Sequence, residues 1–381
     1  MELNLNEIRI KINAIDEKLV KLFEERMETV SEVAAYKKQH NMEVLDSNRE
    51  KDVIARAVSH LHNPELETYL RFFMDDLMTL SRQYQLAQLT KDHKHVSTQA
   101  ERTLQPGTVI GHYGSSGSYS EEAAVLHFGS DIVKKSCNTF EEVVYDLLNH
   151  KIDIGMLPVE NSSTGIITAV MDLIRDNQVY ITGEHISRIC HHLLVVPGTK
   201  LEDINTVYSH QQGLEQSSHF LKKYPWEQVA YNSTANSAEL VSRLGDKTKA
   251  AVASESSARL YGLEILVPDI HYNQNNYTRF ISIEREPVVH ESCNKISIVM
   301  DIAHKPGALY TILRLFNERS LNLMKIESRP VIGKPWEYLF FFDFEGNLME
   351  PRIRELLECL KATAHDFRVL GNYRAFEPSG C

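Results

Sequence analysis

"LNEIRIKINAIDEKLVKLFEERMETVSEVAAYKK" (Leu5–Lys38) carries its apolar side chains at Leu5, Ile8, Ile12, Ile15, Leu19, Leu22, Val30 and Val33. Steps of three and four residues place them on one stripe of an α-helix, and neither Pro nor Gly interrupts the run. At about 1.5 Å per residue this predicts a rod roughly 50 Å long. Two more helices are expected behind it. Asp46 is a candidate N-cap for one reaching about Leu61, and Pro64 stands in the first turn of another, "NPELETYLRFFMDDLMTLSRQYQLAQL" (Asn63–Leu89). Three helices in some ninety residues cannot close a large core around so long a rod. The stripe therefore predicts a helical dimer.

The rest of the chain changes character twice. Residues 91–106 are polar and aperiodic and read as a linker. From Thr108 to about Arg285, short apolar runs such as "TVIGHYG", "IDIGMLPV", "HHLLVVPG" and "KAAVAS" alternate with helical patterns, which predicts an α/β region of two lobes. From Lys295 the order becomes strand–helix–strand–strand–helix–strand, a small ferredoxin-like βαββαβ unit. A length of 381 residues accommodates this multidomain plan. The net charge of −11 argues against nucleic acid and anionic membrane surfaces as partners. No run approaches the roughly eighteen apolar residues of a spanning helix. The first residues are charged throughout, without a secretory apolar core, so a cytoplasmic location is expected. Cys137, Cys190, Cys293, Cys359 and Cys381 are odd in number and widely spaced; they read as free thiols, and no metal site is expected.

On the long helix, Arg26 falls on the apolar stripe between Leu22 and Val30. Lys37 lies eleven residues further on, which at about 100° per residue returns to within about 20° of the same direction. Two cations thus point where a core should be, and a buried cation requires an anionic partner or ligand. Arg9 faces about 100° away, toward a different cavity. Asp46, Arg49 and Glu50 form a second charged cluster, and Ser81 and Gln85 share a face of the third helix. Spacing alone equally fits a solvated helix with snorkelling basic side chains.

In the α/β region, "GHYGSSGSYSEEAA" (Gly111–Ala124) follows a strand and opens a helix. Its glycines are spaced GxxGxxG, so the dinucleotide fingerprint is not met, although a Ser/Gly loop at a helix N-terminus suits a carboxylate. "GMLPVENSSTG" (Gly155–Gly165) delivers Glu160, Asn161, Ser162, Ser163 and Thr164; "TVYSHQQGLEQ" (Thr206–Gln216) delivers Ser209, His210 and Gln216. Alone, each cluster is compatible with loop capping. His191-His192 lacks a third metal ligand nearby. In "NQNNYTRFISIER" (Asn273–Arg285), Thr278 has no adjacent partner that would make it a nucleophile.

Taken as sets, these motifs carry three resemblances. "RIKINAIDEKLVKLFEERMETVSEVAAYKK" with "VLDSNREKDVI" and "LSRQYQ" resembles the all-helical chorismate mutases over residues 5–90. That implies an intertwined dimer in which Arg26, Lys37 and Arg49 line one site and Arg9 comes from the second copy. Asp46, Glu50, Ser81 and Gln85 would complete the pocket. "GSSGSYSEEAA", "LPVENSSTG", "VYSHQQGLEQ" and "YTRF" resemble prephenate dehydratase over residues 107–285. The implied fold is two α/β lobes like those of periplasmic binding proteins. Its cleft residues would be Ser118, Glu160, Asn161, Ser162, Ser163, Thr164, Ser209, Gln216, Thr278 and Arg279. Thr278 would assist the leaving hydroxyl with Glu160 behind it, while Arg279 stays open between carboxylate anchor and structural ion pair. "KPGALYTIL" and "KIESRP" resemble an ACT domain over residues 296–375. Gly307, Ala308 and Leu309 with Glu327, Ser328, Arg329 and Pro330 would then bind L-phenylalanine as a feedback inhibitor.

The resemblance implies conversion of chorismate to prephenate and then to phenylpyruvate, without a cofactor, in a homodimer or higher homo-oligomer. Two alternatives are a solute sensor, disfavoured by the cation-lined helices, and an NAD-linked prephenate dehydrogenase, disfavoured by the missing GxGxxG.

Overall fold

A computed structural model describes residues 4–40, 42, 44, 46–90, 104–331 and 337–376. Of the expected linker, residues 91–103 lie outside the described residues, as does Cys381. The chain opens with α1 (Leu5–Gln39), α2 (Ser47–Ser59) and α3 (Glu67–Thr90). There follow β1 (Val109–Tyr113), α4 (Tyr119–Phe128), β2 (Val133–Cys137), α5 (Phe140–Leu148), β3 (Ile154–Asn161), β4 (Gly165–Ile166), α6 (Thr168–Asp176) and β5 (Tyr180–Arg188). The next stretch holds β6 (His192–Val195), β7 (Thr206–Ser209), α7 (Gln211–Gln216), α8 (Ser218–Leu221), β8 (Glu227–Ala230), α9 (Thr234–Leu244), β9 (Lys249–Ala253), α10 (Glu255–Tyr261) and β10 (Glu264–Val267). After β11 (Tyr277–Glu284) come β12 (Lys295–Asp301), α11 (Ala308–Glu318), β13 (Leu323–Pro330), β14 (Tyr338–Glu345), α12 (Pro351–Thr363) and β15 (Phe367–Tyr373), the expected βαββαβ order.

These elements fall into two compact units. One gathers α1, α2 and α3 with α11 and α12. Asn4 caps α1 through its side chain, and Asp46 caps α2 by accepting from the Arg49 N–H at 3.0 Å. The second helix stops at Ser59, two residues short of expectation, and Pro64–Leu66 forms a 3-10 turn before α3. Arg314 of α11 pairs with Asp76 of α3 and with Glu318 at 2.6 Å. Along α1 only Ala34 is buried, while Ile12, Ile15, Leu19 and Leu22 are 50–60% exposed. Among the described residues, nothing covers this long apolar stripe.

The other unit gathers the sheets and the remaining helices. The larger sheet runs β13-β14-β12-β15-β5-β11-β3-β1-β2, with β4 on β3; the smaller runs β10-β6-β9-β7-β8. The two sheets give the two expected lobes. The larger one is continuous with the C-terminal strands through parallel pairing of Gly371 on β15 with Ile181 on β5. A Cβ on Gly371 would stand 2.1 Å from the Ile181 carbonyl oxygen, so only glycine permits this approach. One core serves both sets of strands: Leu157, Ile181 and Ile281 pack with Phe341, Leu370 and Tyr373. At about 25 cal/mol per Å² of apolar surface removed from water, each such side chain stabilises the closed sheet by roughly 1.5–3 kcal/mol.

Candidate active sites

In the helical unit, α1 and α3 bring Arg26, Ser81 and Gln85 together. Arg26 Nη1 donates to Ser81 Oγ at 2.5 Å, and Nη2 approaches Met78 Sδ at 3.7 Å. Burial lowers the Arg26 pKa from its usual value, as expected of a cation on an apolar stripe. Gln85 is buried, and its Oε1 accepts no hydrogen bond among the described residues. Lys37 Nζ reaches the Val44 carbonyl at 2.6 Å. Glu50 is ion-paired with Arg82, which also donates to Thr79 Oγ1 at 3.0 Å. Arg82 was missed by spacing arguments, although it follows Ser81 directly in "LSRQYQ". Arg9, Asp46 and Arg49 are exposed. The cluster can present cations and amide groups to an anion, but these three do not close over it.

In the sheet unit, strand alternation decides which residues meet. Antiparallel β3 and β11 place Thr278 opposite Asn161 and Arg279 opposite Glu160. Side chains alternate across a strand, so the two pairs face opposite sides of the sheet. Phe280 accordingly packs with Ile110 and Met156, whereas Ile281 packs with Phe341 and Tyr373.

On the Thr278 side, a series of polar groups is linked one to the next, while the Ser187 hydroxyl opposite Thr278 has no partner among the described residues. Asn161 Nδ2 donates to Thr278 Oγ1 at 2.9 Å and to Asn276 Oδ1 at 2.8 Å. Asn161 Oδ1 accepts from the backbone N–H groups of Ser163 (2.9 Å) and Thr164 (3.2 Å). Asn276 Nδ2 donates to Gln216 Oε1 at 3.2 Å, which His191 Nε2 also meets at 2.8 Å. His191 Nδ1 lies 2.9 Å from the Tyr119 hydroxyl. Burial pushes the His191 imidazole down to about 4, with Gln216 opposing and His271 and His192 adding to the fall. Sequence reasoning missed Asn276, His191 and Tyr119. Asn276 sits two residues before Thr278, and its strand-period spacing was the available signal.

The other predicted residues have different surroundings. Ser162 accepts from the Tyr277 N–H (2.9 Å) and donates to the Asn275 carbonyl (3.0 Å), clamping the loop. Ser118 caps α4, accepting from the Glu121 N–H at 3.3 Å and donating to the Tyr113 carbonyl at 3.2 Å. Ser209 is fully buried and donates to the Val252 carbonyl at 2.7 Å. The expectation that Glu160 backs Thr278 is corrected: it faces the far side, where Lys325 Nζ meets it at 2.7 Å and Arg279 at 3.6 Å.

On that far side Arg279 is an ion-pair member. It contacts Asp343 at 2.7 Å and Glu184 at 3.4 Å, and Lys295 joins Glu184 at 2.8 Å. Burial alone would lower the Arg279 pKa; Asp343, Tyr373 and Glu184 raise it above its ordinary value. Burial likewise raises Asp343, but Arg279 and Lys295 outweigh it and hold the carboxyl below the usual range. A small cavity of about 40 Å³ adjoins this group, lined in part by Lys325, Glu327, Ser328 and Arg329. Arg329 pairs with Asp172 and donates to the Thr168 carbonyl at 2.7 Å. Pro330 ends β13, and Gly307, with Ala308 and Leu309 behind it, caps α11 in the left-handed region at φ 79°. Cys190, Asp269 and His271 approach metal-ligand spacing. However, His271 Nδ1 already accepts from the His191 N–H at 3.2 Å, so Nε2 bears the ring proton and offers no lone pair.

The family profile described as chorismate mutase type II matches residues 8–86, and that of prephenate dehydratase matches residues 110–288. A bifunctional chorismate mutase/prephenate dehydratase of Buchnera aphidicola is 32% identical, covering 96% of this chain and 95% of its own. A prephenate dehydratase from Arthrobacter aurescens, solved with L-Phe, is 28% identical with a TM-score of 0.64, over 70% of this chain and 90% of its own. A structure described as a novel type of quorum-quenching acylase matches equally well, at 28% identity and TM-score 0.64 over 71% of this chain and 98% of its own. With both profiles matched in order and relatives aligned end to end, the chain belongs to the bifunctional chorismate mutase/prephenate dehydratases, enzymes of phenylalanine biosynthesis.

Proposed function

We propose that residues 1–90 rearrange chorismate to prephenate, that residues 107–285 convert prephenate to phenylpyruvate, and that residues 296–375 form an ACT unit through which L-phenylalanine inhibits. The first reaction is pericyclic and needs no nucleophile, proton transfer or cofactor. Arg26 and Arg49, with Arg9 from a second copy, clamp the two carboxylates. Lys37 and Gln85 donate to the ether oxygen as it becomes negative, and holding the reactive conformer removes entropy from the barrier. Asp46, Ser81 and Glu50 shape the pocket around the ring hydroxyl, with Arg82 ion-paired to Glu50. The exposed stripe of α1 supports the dimer that supplies Arg9.

The second reaction expels carbon dioxide and the ring hydroxyl as the ring becomes aromatic. Thr278 donates to the departing hydroxyl. Asn161, Ser162, Ser163, Thr164 and Gln216 form the neutral wall around it, which suits a carboxylate whose charge vanishes in the transition state. Ser118, at a helix N-terminus, is the anchor for the pyruvyl carboxylate. The observation carrying this reading is the buried Asn161–Thr278 pair at 2.9 Å. Glu160 and Arg279 contribute through the sheet, as members of the ion-pair group.

Incubation of the purified chain with chorismate tests the assignment. Phenylpyruvate formed without NAD supports it; no turnover, or NADH formation when NAD is supplied, rejects it. Deleting the C-terminal segment would strip strands from the shared core, so regulation is better tested by Glu327→Ala and Ser328→Ala. Phenylalanine inhibition should fall while uninhibited turnover persists; undiminished inhibition in both would reject the ACT reading.

A further inference from the structure

Asn276 is 1% exposed, adjoins the dehydratase pair, and has no part in the steps above. Its task follows from the direction of the hydrogen bonds. Ser163 and Thr164 present backbone N–H groups, at 2.9 and 3.2 Å, to one end of the Asn161 amide. A backbone N–H cannot accept, so that end is the oxygen and the other end is the NH₂. The NH₂ therefore faces Asn276 and Thr278, at 2.8 and 2.9 Å. Asn276 must show it an oxygen, which turns the Asn276 NH₂ toward Gln216 at 3.2 Å. Gln216 must in turn show an oxygen, and His191 Nε2 at 2.8 Å from that oxygen must carry a proton. One polarity runs through the whole chain, set at one end by two backbone amides.

At the other end this polarity decides what Thr278 can do. Its Oγ1 receives a hydrogen from Asn161, so its own single proton is left over. The Asn161 NH₂ also meets the Tyr277 carbonyl, at 3.2 Å; without the shorter bond to Asn276 it would swing further toward that carbonyl, and Oγ1 would no longer be fixed as an acceptor. We propose that Asn276 is a positioning residue of the dehydratase reaction: by accepting one hydrogen of the Asn161 amide, it directs the other onto Thr278 Oγ1 and frees the Thr278 proton for the substrate's departing hydroxyl. This rests on the reading of Thr278 given above. Gln216 and His191 hold Asn276 in that orientation.

A double-mutant cycle on the full chain, read as steady-state turnover of prephenate, tests it. Asn276→Ala should lower kcat about tenfold, the scale of one hydrogen bond, with KM changed less than about twofold. In a Thr278→Val background the same substitution should cost less than about twofold, because the group it positions is gone. Asn276→Ser, which keeps an acceptor oxygen, should recover part of the rate. A wild-type kcat in Asn276→Ala, or equal fold losses in both backgrounds, overturns the inference while leaving Thr278 in place. Wild-type kcat in Thr278→Val alone overturns the Thr278 reading itself, and the positioning role falls with it.

Discussion

The dehydratase cluster and the mutase cluster are built to different degrees of completeness. Around Thr278, Asn161, Asn276, Gln216 and His191 are at most 7% exposed and hydrogen-bond in series, with the neighbouring Ser187 hydroxyl and His271 Nε2 left over among the described residues. Around Arg26 the arrangement is half open. Among the described residues, Gln85 keeps an unpartnered oxygen, Arg9 and Arg49 are exposed, and the apolar stripe of α1 is bare. A single chain can thus preorganise one site fully, whereas the other has its donors in place but not its walls. The difference follows from secondary structure. A sheet brings distant residues side by side within one chain, whereas a lone rod has two faces and too few neighbours to cover both.

The largest effect is expected at the ion-pair group behind Thr278. Arg279→Leu leaves Glu184 and Asp343 with one cation between them and should destabilise the sheet unit by about 3–5 kcal/mol in denaturant titration. A variant of unchanged stability but raised KM for prephenate would make Arg279 a substrate anchor instead. Next in size, Lys37→Ala should lower the mutase rate by about 10²–10³ with phenylpyruvate formation from prephenate intact. Equal loss of both activities would mean that the helix supports the fold and not the chemistry.

A pH titration probes the satisfied cluster. His191 has a folded pKa depressed to about 4, so it is held neutral. Stability from that depression is present above the unfolded value of about 6.5 and is lost as pH falls toward 4, on the order of 3 kcal/mol in total. Its neighbours His271, His192, Tyr119 and Gln216 supply no carboxylate to offset a new charge. His191→Gln should flatten that slope in pH-dependent unfolding; an unchanged slope would assign it to other buried histidines such as His127. Smallest, dilution should reduce mutase activity per chain severalfold while dehydratase activity per chain holds. Parallel behaviour of the two would remove the case for an incomplete helical site.

Several of these features were legible in the sequence and others were not. The rod of α1 was readable because nothing interrupts its period, and the predicted end near Lys38 meets the observed Gln39. The opposition of Thr278 and Arg279 was also available, since neighbours on a strand point apart; the same rule separates Glu160 from Asn161. What could not be read was register. Asn161 and Thr278 are 117 residues apart, and only the alignment of β3 with β11 makes them partners. Asp343 lies 64 residues beyond Arg279, and no local pattern links them. Arg279 therefore stayed open between carboxylate anchor and structural ion pair until its partners came into view.

The place of β15 in the sheet has a consequence for the chain's synthesis. Strand β15, Phe367–Tyr373, lies in the interior of the ten-stranded sheet, beside β5, with Leu370 and Tyr373 fully buried. A ribosome must therefore release the chain as far as β15 before the dehydratase core can close. Until then β5 presents an open edge over apolar side chains, the state from which strands pair with the wrong neighbour. Premature termination after α12 should accordingly yield insoluble protein, not a truncated but soluble enzyme.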